Sequence, residues 1–257
     1  MIILFPVCVF FVINNKHDFE VEARNVDSQF EFLIPKEHDL NVLFVDCNNC
    51  NGRNIAEVFV LFKISAHDNL ISLISIPTNL KIAFNGRVLN LNDCFTKYDI
   101  DYVKKAFENF FDISIDRTIQ ADDTAVKGAI NCLGGIKIDK NEKLNFNYDF
   151  PVVGDKKIIG GDSFCEILKQ NPAEAFKLLK FEFFNKYNLK RFYAYFSNMF
   201  KSNISIYDFE IRQRGFEKLI IKKNAILLEP NLSLKFLRGH HIMSDFSKES
   251  CIEAFKK

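Results

Sequence analysis

Three short groups of residues in this chain carry side chains of the types that enzyme active sites and metal sites use. They are a close pair of thiols, a pair of adjacent carboxylates and a pair of adjacent imidazoles: Cys47 and Cys50, Asp122 and Asp123, His240 and His241. Paired thiols serve redox exchange or zinc binding, carboxylates serve acid–base catalysis, and imidazoles bind metals. Each group also has an ordinary structural explanation, so the neighbouring predicted strands and helices must distinguish a chemical role from a structural one.

The thiol pair lacks the surroundings that either activity needs. A redox pair requires a helix that begins at the motif and lowers the pKa of the first thiol. Here Gly52 and the run Val58–Ile64, which is rich in β-branched and aromatic residues, predict a turn and a strand instead. A zinc site requires a second ligand pair, and no His or Cys follows at fitting spacing. We interpret Cys47 and Cys50 as loop residues, with a disulfide outside the cell or a thiol-redox or metal-binding role as alternatives.

The carboxylate and imidazole pairs are better explained by local structure. Asp122 and Asp123 precede the apolar segment Thr124–Cys132, and capping of a helix at that point explains both. Adjacent His240 and His241 point to different sides of an extended chain, and no acidic partner has suitable spacing. We therefore interpret the two His as loop residues.

Composition limits the class of protein. The chain has 257 residues, with 34 basic and 33 acidic side chains and a formal net charge of +1. That length suits one large domain or two small ones, and the lack of repeats and linkers favours one. Nucleic-acid binding requires a basic excess or stripe, which is missing, so we predict no nucleic-acid partner. The 29 Phe residues fit a packed core or, alternatively, the lining of a long apolar pocket.

Alternating strand and helix patterns predict an α/β fold. β-rich runs bounded by turn residues predict strands at Val42–Val45, Val58–Ile64, Leu70–Ile76, Ile136–Asp139 and Leu144–Tyr148, the last two as a hairpin. Apolar side chains at helical spacing predict helices at Asp99–Phe111, Thr124–Cys132, Asp162–Lys169, Ala173–Asn188 and Ile206–Phe216. This alternation predicts a single domain with a mixed central β-sheet flanked by helices.

The N-terminal residues form a separate region. Met1–Ile13 is apolar but shorter than the roughly 20 residues that span a bilayer. It also lacks the basic start and small-residue cleavage site of a signal peptide. A clipped membrane anchor, an unusual signal and a buried strand all remain open. We divide the chain into an apolar segment at 1–14, a lead-in at 15–40 and a domain at 41–257.

Seven short motifs follow one another from Leu70 to Ser205. Four lie in the central segment Leu91–Asp139: Leu91-Asn92, Phe107–Phe111, Ile113–Asp116 and Leu133–Ile136. Three more flank it: Leu70–Pro77, Ile159–Lys169 and Ser202–Ser205. Each motif alone is weak, but their order and spacing resemble the LytR–CpsA–Psr (LCP) family of cell-envelope proteins. The resemblance covers the chain from Asn41 to the C-terminus.

The resemblance implies a fold, a location and a ligand class. Active LCP proteins transfer a glycopolymer from a polyprenyl pyrophosphate carrier to peptidoglycan, and they face outward from a membrane anchor. This favours the anchor interpretation of residues 1–14. The family's site uses two Asp that hold a divalent metal, several Arg that clamp the pyrophosphate and an apolar tunnel for the lipid. Arg gives bidentate bonds to phosphate, and a metal neutralises the developing charge.

At the positions of the two metal-binding Asp, this chain carries Asn48 and Glu57. The resemblance therefore predicts a weak Mg²⁺ site at Glu57 and Asn48, and it makes Glu57 a candidate catalytic residue. Asp46 lies two residues before Asn48, so Asp46 needs a local shift of the chain to replace the missing carboxylate.

The positions of the phosphate-binding Arg also carry other residues. Thr78, Lys169 and Lys180 stand at three of them, so we expect these side chains to contact phosphate. A fourth position holds Ile55, and Arg53, two residues earlier, is the second candidate catalytic residue. Lys is a workable phosphate ligand, but it is a point charge without the planar fork of Arg.

We therefore predict an extracytoplasmic protein, anchored to the bacterial cell membrane, whose transferase activity is lost or weak. Its expected partners are a polyprenyl (pyro)phosphate-type lipid, an envelope polymer or an envelope protein. A site with few carboxylates and no Arg in place favours this function. The alternative is an active phosphotransferase that attaches glycopolymer from a polyprenyl-pyrophosphate carrier to peptidoglycan through Glu57, Lys169 and Arg53.

Overall fold

The structure is a computed structural model of the chain. It describes residues 39–50, 52–65, 70–141, 150–183, 195–196, 198–204, 226–228, 234–237, 240–243 and 249. Residues 39–257 belong to one compact unit. The predicted segment at 1–14, nearly all of the lead-in and the elements predicted at Leu144–Tyr148 and Ile206–Phe216 lie outside the described residues.

The described strands and helices alternate along the chain. The strands are β1 (Leu40–Cys50), β2 (Arg53–Ser65), β3 (Leu70–Ile76), β4 (Lys81–Phe84), β5 (Arg87–Asn90), β6 (Arg117–Ala121), β7 (Ile136–Asp139), β8 (Val152–Val153), β9 (Lys156–Ile159), β10 (Lys201–Ser202), β11 (Ile226–Leu228), β12 (Leu234–Leu237) and β13 (His240–Met243). The helices are α1 (Leu91–Lys97), α2 (Ile100–Phe111), α3 (Asp123–Cys132), α4 (Gly161–Gln170) and α5 (Pro172–Phe183). Five predicted segments agree with β3, β7, α2, α3 and α4 within a residue at each end, whereas β1 and β2 each extend five residues beyond the predicted run at one end and β4, β5 and α1 were not predicted.

A mixed sheet of six strands organises the described residues, in the order β10-β6-β1-β2-β3-β11. β1, β2 and β3 form antiparallel pairs, whereas β6 runs parallel to β1 and β11 runs parallel to β3. The strand β7 pairs antiparallel with β9. Because β1 and β6 are parallel, their carboxyl ends lie at the same edge of the sheet.

Helices cover both faces of this sheet. On one face α1 and α2 pack against β1 to β3, with Phe59, Phe95 and Phe107 in edge-to-face contact. On the other face α3, α4 and α5 pack against Val42, Phe44, Val58 and Val60, which alternate along their strands. Side chains on both sheet faces are apolar, as a sheet between two helical layers requires. The predicted α/β class, with a mixed sheet flanked by helices, is confirmed.

Two local predictions were wrong. Cys47 and Cys50 were expected in a loop, but β1 continues through Cys50 because the chain stays paired with β2 as far as Arg53. His240 and His241 were also expected in a loop, and they begin β13 instead, paired with β12.

No helix in the described residues combines the length and apolar character that crossing a membrane requires.

Candidate functional site

Two parallel strands deliver carboxylates to one edge of the sheet. Asp46 on β1 stands beside Ala121, the last residue of the parallel strand β6. The chain then turns directly into α3, whose N-cap is Asp122 and whose first residue is Asp123. The carboxyl ends of parallel strands are where ligand sites commonly form in α/β sheets.

A β-bulge turns Glu57 toward the same place. In the β1–β2 ladder Asp46 pairs with Val58 and Cys47 pairs with Ala56, so Glu57 is an extra residue on β2. Without the bulge, Glu57 would point to the face opposite Val58, because side chains alternate along a strand. A bulge re-aims a side chain in this way. Glu57 therefore reaches the helical layer of α3 and α4.

Close packing of α4 against α3 brings in a cation. Gly161, the first residue of α4, lies so close to α3 that a Cβ atom there would be 2.8 Å from the Lys127 Cα. The Gly161 amide also donates to the Asn131 side chain at 3.0 Å. From this contact α4 runs along α3, and Lys169 in its last turn lies beside the first residue of α3.

These elements assemble one cluster of charged side chains, which we call the carboxylate cluster: Asp46, Glu57 and Asp123, joined by Lys169. One oxygen from each carboxylate lies within 4.8 Å of the other two. The Lys169 Nζ lies 2.6 Å from Glu57 Oε2 and 2.8 Å from Asp123 Oδ2. The side chains of Glu57, Asp123 and Lys169 are 30%, 34% and 31% exposed, so the cluster opens to solvent on their side.

Asp46 forms the closed end of the cluster. It is fully buried, and neither of its carboxylate oxygens has a hydrogen-bond partner among the described residues. The pKa of Asp46 is raised from 3.8 to about 7, mainly by burial and then by the charge of Asp123, while the Lys169 ammonium partly offsets both effects. A buried carboxylate without a partner is costly, which makes it a candidate ligand for a cation.

Lys169 neutralises part of this charge. Partial burial lowers the pKa of Lys169, but the hydrogen bonds and charges of Asp123 and Glu57 outweigh it and raise the pKa above its ordinary value. The ammonium therefore stays charged at neutral pH.

The cluster fits a divalent cation. Mg²⁺ and Ca²⁺ prefer carboxylate oxygens at about 2.0–2.6 Å, so opposite ligands of one ion are roughly 4–5 Å apart. The three converging oxygens have that spread. The unpaired oxygens of Asp46 and the buried Oδ1 of Asp123 supply free ligand positions. Asp46, Glu57 and Asp123 are the side chains that would hold the ion.

The structure brings only some of the expected site residues together. Glu57 and Lys169 meet in the cluster. Asn48 is exposed on β1, opposite Ile55. Arg53 is exposed at the start of β2, opposite Cys50.

The other two expected phosphate ligands lie on separate elements. Thr78 lies in the turn after β3, where its carbonyl accepts from the Asn92 amide at 3.0 Å. Lys180 lies in α5.

Asp46 and Asp123 belong to the cluster although the sequence did not predict them as site residues. The local shift that Asp46 was said to need is present as the bulge, but on β2 rather than on β1, so Asp46 rather than Asn48 accompanies Glu57. Capping explains Asp122, which accepts from the Ala125 amide at 2.8 Å. It does not explain Asp123, whose carboxylate binds Lys169. The expectation of a site with few carboxylates was therefore wrong. The position of the Asp pair directly after a buried strand was the signal available in the sequence.

Two buried thiols lie next to the cluster. Cys47 is a free thiol that contacts the Ala121 carbonyl at 3.2 Å, and burial raises its pKa. Cys165 on α4 is also free, and burial with the charges of Asp123 and Asp46 raises its pKa to about 12. Neither thiol is activated as a nucleophile, because reactive cysteines need a lowered pKa.

Comparisons with known proteins agree on the fold. The sequence model of the LytR_cpsA_psr family matches residues 10–164. Among solved structures, Bacillus subtilis TagV has a TM-score of 0.65 at 16% identity, covering 86% of this chain and 97% of TagV. TagT bound to LIIa-WTA has a TM-score of 0.63 at 13% identity, covering 85% of this chain and 89% of TagT. A Streptococcus agalactiae protein has a TM-score of 0.66 at 13% identity, covering 87% and 88% of the two chains. No curated protein sequence matches the chain.

Proposed function

Because the chain belongs to the LytR–CpsA–Psr family, we propose that it binds the (pyro)phosphate of a polyprenyl-linked envelope molecule at the carboxylate cluster, with glycopolymer transfer lost or weak. The family match covers residues 10–164, which include Asp46, Glu57 and Asp123. The fold-level likeness to TagT, solved with LIIa-WTA bound, supports a lipid-linked envelope polymer as the ligand class.

The observation that carries the proposal is the convergence of three carboxylates within 4.8 Å, two of them paired with Lys169. Carboxylates repel phosphate directly, so a phosphate ligand here requires a cation between them. A bound divalent cation supplies the positive charge that attracts phosphate and neutralises it. Asp46, Glu57 and Asp123 would hold that cation, and Lys169 would add one more positive charge at the solvent side.

The proposal of weak or lost transfer rests on the residues at the family's phosphate-binding positions. Where the family pattern has phosphate-binding Arg, this chain has Thr78, Lys169 and Lys180. An ammonium attracts phosphate as a point charge but does not give the two parallel hydrogen bonds of a guanidinium. Phosphoryl transfer depends on positioning and charge stabilisation, so binding survives this exchange better than catalysis does.

A lipid-binding experiment tests the proposal. Native mass spectrometry of the purified chain is performed with polyprenyl pyrophosphate and with the matching polyprenol, each with Mg²⁺ and with EDTA. We expect the pyrophosphate to bind in Mg²⁺ and the polyprenol to bind less. Asp46→Asn weakens the Mg²⁺-dependent part, whereas Asp139→Asn, which removes a surface carboxylate paired with Lys156, does not. Equal binding of both lipids, or no effect of EDTA, contradicts the proposal.

One observation favours the alternative of an active phosphotransferase. Two carboxylates suffice to hold a cation, which leaves the buried Asp46, whose oxygens lack a hydrogen-bond partner among the described residues, to accept a proton. An acceptor hydroxyl of peptidoglycan would attack the sugar-linked phosphorus and pass its proton to Asp46. The bond from that phosphorus to the bridging oxygen would break, and polyprenyl phosphate would leave. Release of polyprenyl phosphate by the wild-type chain, lost in Asp46→Asn, establishes this function in place of the first.

The location is proposed together with the function. LCP proteins are typically associated with the cell envelope, and we propose that residues 1–14 attach the domain at 41–257 to the outer side of the cell membrane. Thirteen apolar residues at Met1–Ile13 support this. Fractionation of cells that produce the chain with and without residues 1–14 tests it. We expect the full chain in the membrane fraction, and recovery of the full chain only in the soluble fraction contradicts the attachment.

A further inference from the structure

Lys169 uses the same oxygen atoms that a cation in the carboxylate cluster would need. Its Nζ lies 2.6 Å from Glu57 Oε2 and 2.8 Å from Asp123 Oδ2. Those two carboxylates and Asp46 are the group with converging ligand atoms in the part of the chain that the structure describes. A divalent cation contacts oxygen at about 2.0–2.6 Å, close to the distance that the ammonium itself keeps. The two positive groups therefore compete for one place.

The Lys169 ammonium contacts only two of the three carboxylates and leaves Asp46 without a partner among the described residues. The Asp46 side chain is fully buried and lies with the other two carboxylates, yet the contacts of Lys169 go to Glu57 and Asp123. Both oxygens of Asp46 lack a partner among the described residues. An ion on the Asp46 side would gain all three carboxylates, whereas Lys169 gains two. The cluster consequently favours a small cation that sits deeper than an ammonium can.

The side chain of Lys169 can also move away from the two carboxylates toward solvent. Lys169 stands in the last turn of α4, and about a third of its side chain, 31%, is exposed. A lysine has a flexible stem of four carbons, so its ammonium can leave Glu57 and Asp123 without a movement of the helix. The direction open to it is the solvent side, where a phosphate bound to the cation would lie.

We propose that Lys169 is a built-in counter-ion that a divalent cation displaces, so that its ammonium becomes a ligand of phosphate only after the cation has bound. The inference rests on the cation site of the proposed function and adds the order of binding. Without the cation, Lys169 holds the carboxylates together and is unavailable to phosphate. With the cation, Lys169 and the cation face the phosphate together. Cation and phosphate binding then strengthen each other by the same factor.

The first test measures Mn²⁺ binding by electron paramagnetic resonance for the wild-type chain and for Lys169→Met. Removal of a competitor tightens binding, and coupling between sites typically amounts to about 5–150-fold. We expect Lys169→Met to bind Mn²⁺ at least about 5-fold more tightly than the wild type. Lys127→Met is the matched control, because Lys127 pairs with Asp162 at 2.9 Å on the same two helices. Unchanged or weaker Mn²⁺ binding by Lys169→Met overturns the exchange.

A second measurement uses the wild-type chain and covers the case in which Lys169→Met does not fold. Reductive methylation followed by peptide mass spectrometry reports how readily each lysine reacts. We expect Mg²⁺ to increase the reaction of Lys169 and to leave Lys127 unchanged, and inorganic pyrophosphate added after Mg²⁺ to protect Lys169 again. Protection of Lys169 by Mg²⁺, or no change, overturns the proposal.

The two experiments separate this inference from the proposed function. If neither the wild type nor Lys169→Met binds Mn²⁺, the cation site and the function proposed for it both fail. If the wild type binds Mn²⁺ and pyrophosphate while Lys169 stays unreactive, the function stands and the exchange alone is refuted.

Discussion

The Nζ of Lys169 lies 2.8 Å from Asp123 Oδ2, although 46 positions separate the two residues in the chain. The contact joins the last turn of α4 to the first residue of α3, at the edge where β1 and β6 end. Asp46 and the bulged Glu57 meet them there. A charged site is thus built by the approach of four separate elements.

The approach of α4 to α3 depends on the missing side chain at Gly161. Gly161→Ser places a Cβ 2.8 Å from the Lys127 Cα, and still closer to the Lys127 carbonyl oxygen, so the helices must separate. Overpacking of this kind costs about 1–3 kcal/mol. We expect urea denaturation to show this loss in the free energy of unfolding, together with weaker Mg²⁺ binding as Lys169 and Asp123 move apart.

Gly160 provides the matched control for this change. A Cβ at Gly160 meets nothing within 4 Å, and Gly160 is the N-cap of α4 without a side-chain hydrogen bond. Ser is a preferred N-cap, so Gly160→Ser should be neutral or stabilising. Equal losses from Gly160→Ser and Gly161→Ser would show that the close helix contact is not what positions Lys169.

The pH dependence of stability should carry the signature of Asp46. Burial raises its folded-state pKa to about 7 from 3.8, so between these values the folded chain keeps a proton that the unfolded chain has released. The stability contribution is therefore fully present below about pH 4 and is lost as the pH rises through 7. Three pH units at 1.36 kcal/mol each give a loss on the order of 4 kcal/mol.

Asp46→Asn tests this by removing the ionisation. In EDTA the variant should be more stable than the wild type at pH 8, and the difference should shrink toward pH 4. Urea denaturation at several pH values measures it. A difference that stays constant across this range means that Asp46 is not protonated in the folded protein near neutral pH.

Divalent cations should stabilise the folded chain. A ligand at 100 times its Kd adds about 2.7 kcal/mol when it binds the folded state alone. We expect Mg²⁺ to raise the Tm of the wild-type chain in thermal denaturation and Asp123→Asn to reduce that increase, because one ligand is lost. Asp139→Asn, on the surface of β7, should respond to Mg²⁺ like the wild type. An equal response from Asp123→Asn would exclude Asp123 as a ligand.

Asp122 and Asp123 are adjacent, but their substitution should have different effects on stability and on the response to Mg²⁺. Asp122 accepts from the Ala125 amide at 2.8 Å and caps α3, so Asp122→Ala should cost about 1 kcal/mol of stability. Asp122→Ser should restore most of it, because Ser also caps helices. Urea denaturation checks both, and the Mg²⁺-induced rise in Tm should persist in Asp122→Ser. Loss of that rise would place Asp122 in the cation site as well.

The amino-acid sequence alone determined the fold class, the family and much of the described secondary structure. Strand runs such as Val58–Ile64, helical spacing in Asp99–Phe111 and the capping residue Asp122 are local signals, since each depends on neighbours a few positions away. The order of seven short motifs pointed to the family, and it placed Glu57 and Lys169 in the site.

Only the tertiary structure decided which other residues join them. Asp46 replaces Asn48 because an extra residue at Glu57 shifts the β1–β2 register, and registers depend on pairing between strands rather than on either strand alone. Asp123 becomes a partner of Lys169 because Gly161 lets two helices touch. The interaction energy between charged side chains depends on the distance between them and on their burial. Neither quantity is set by their spacing along the chain.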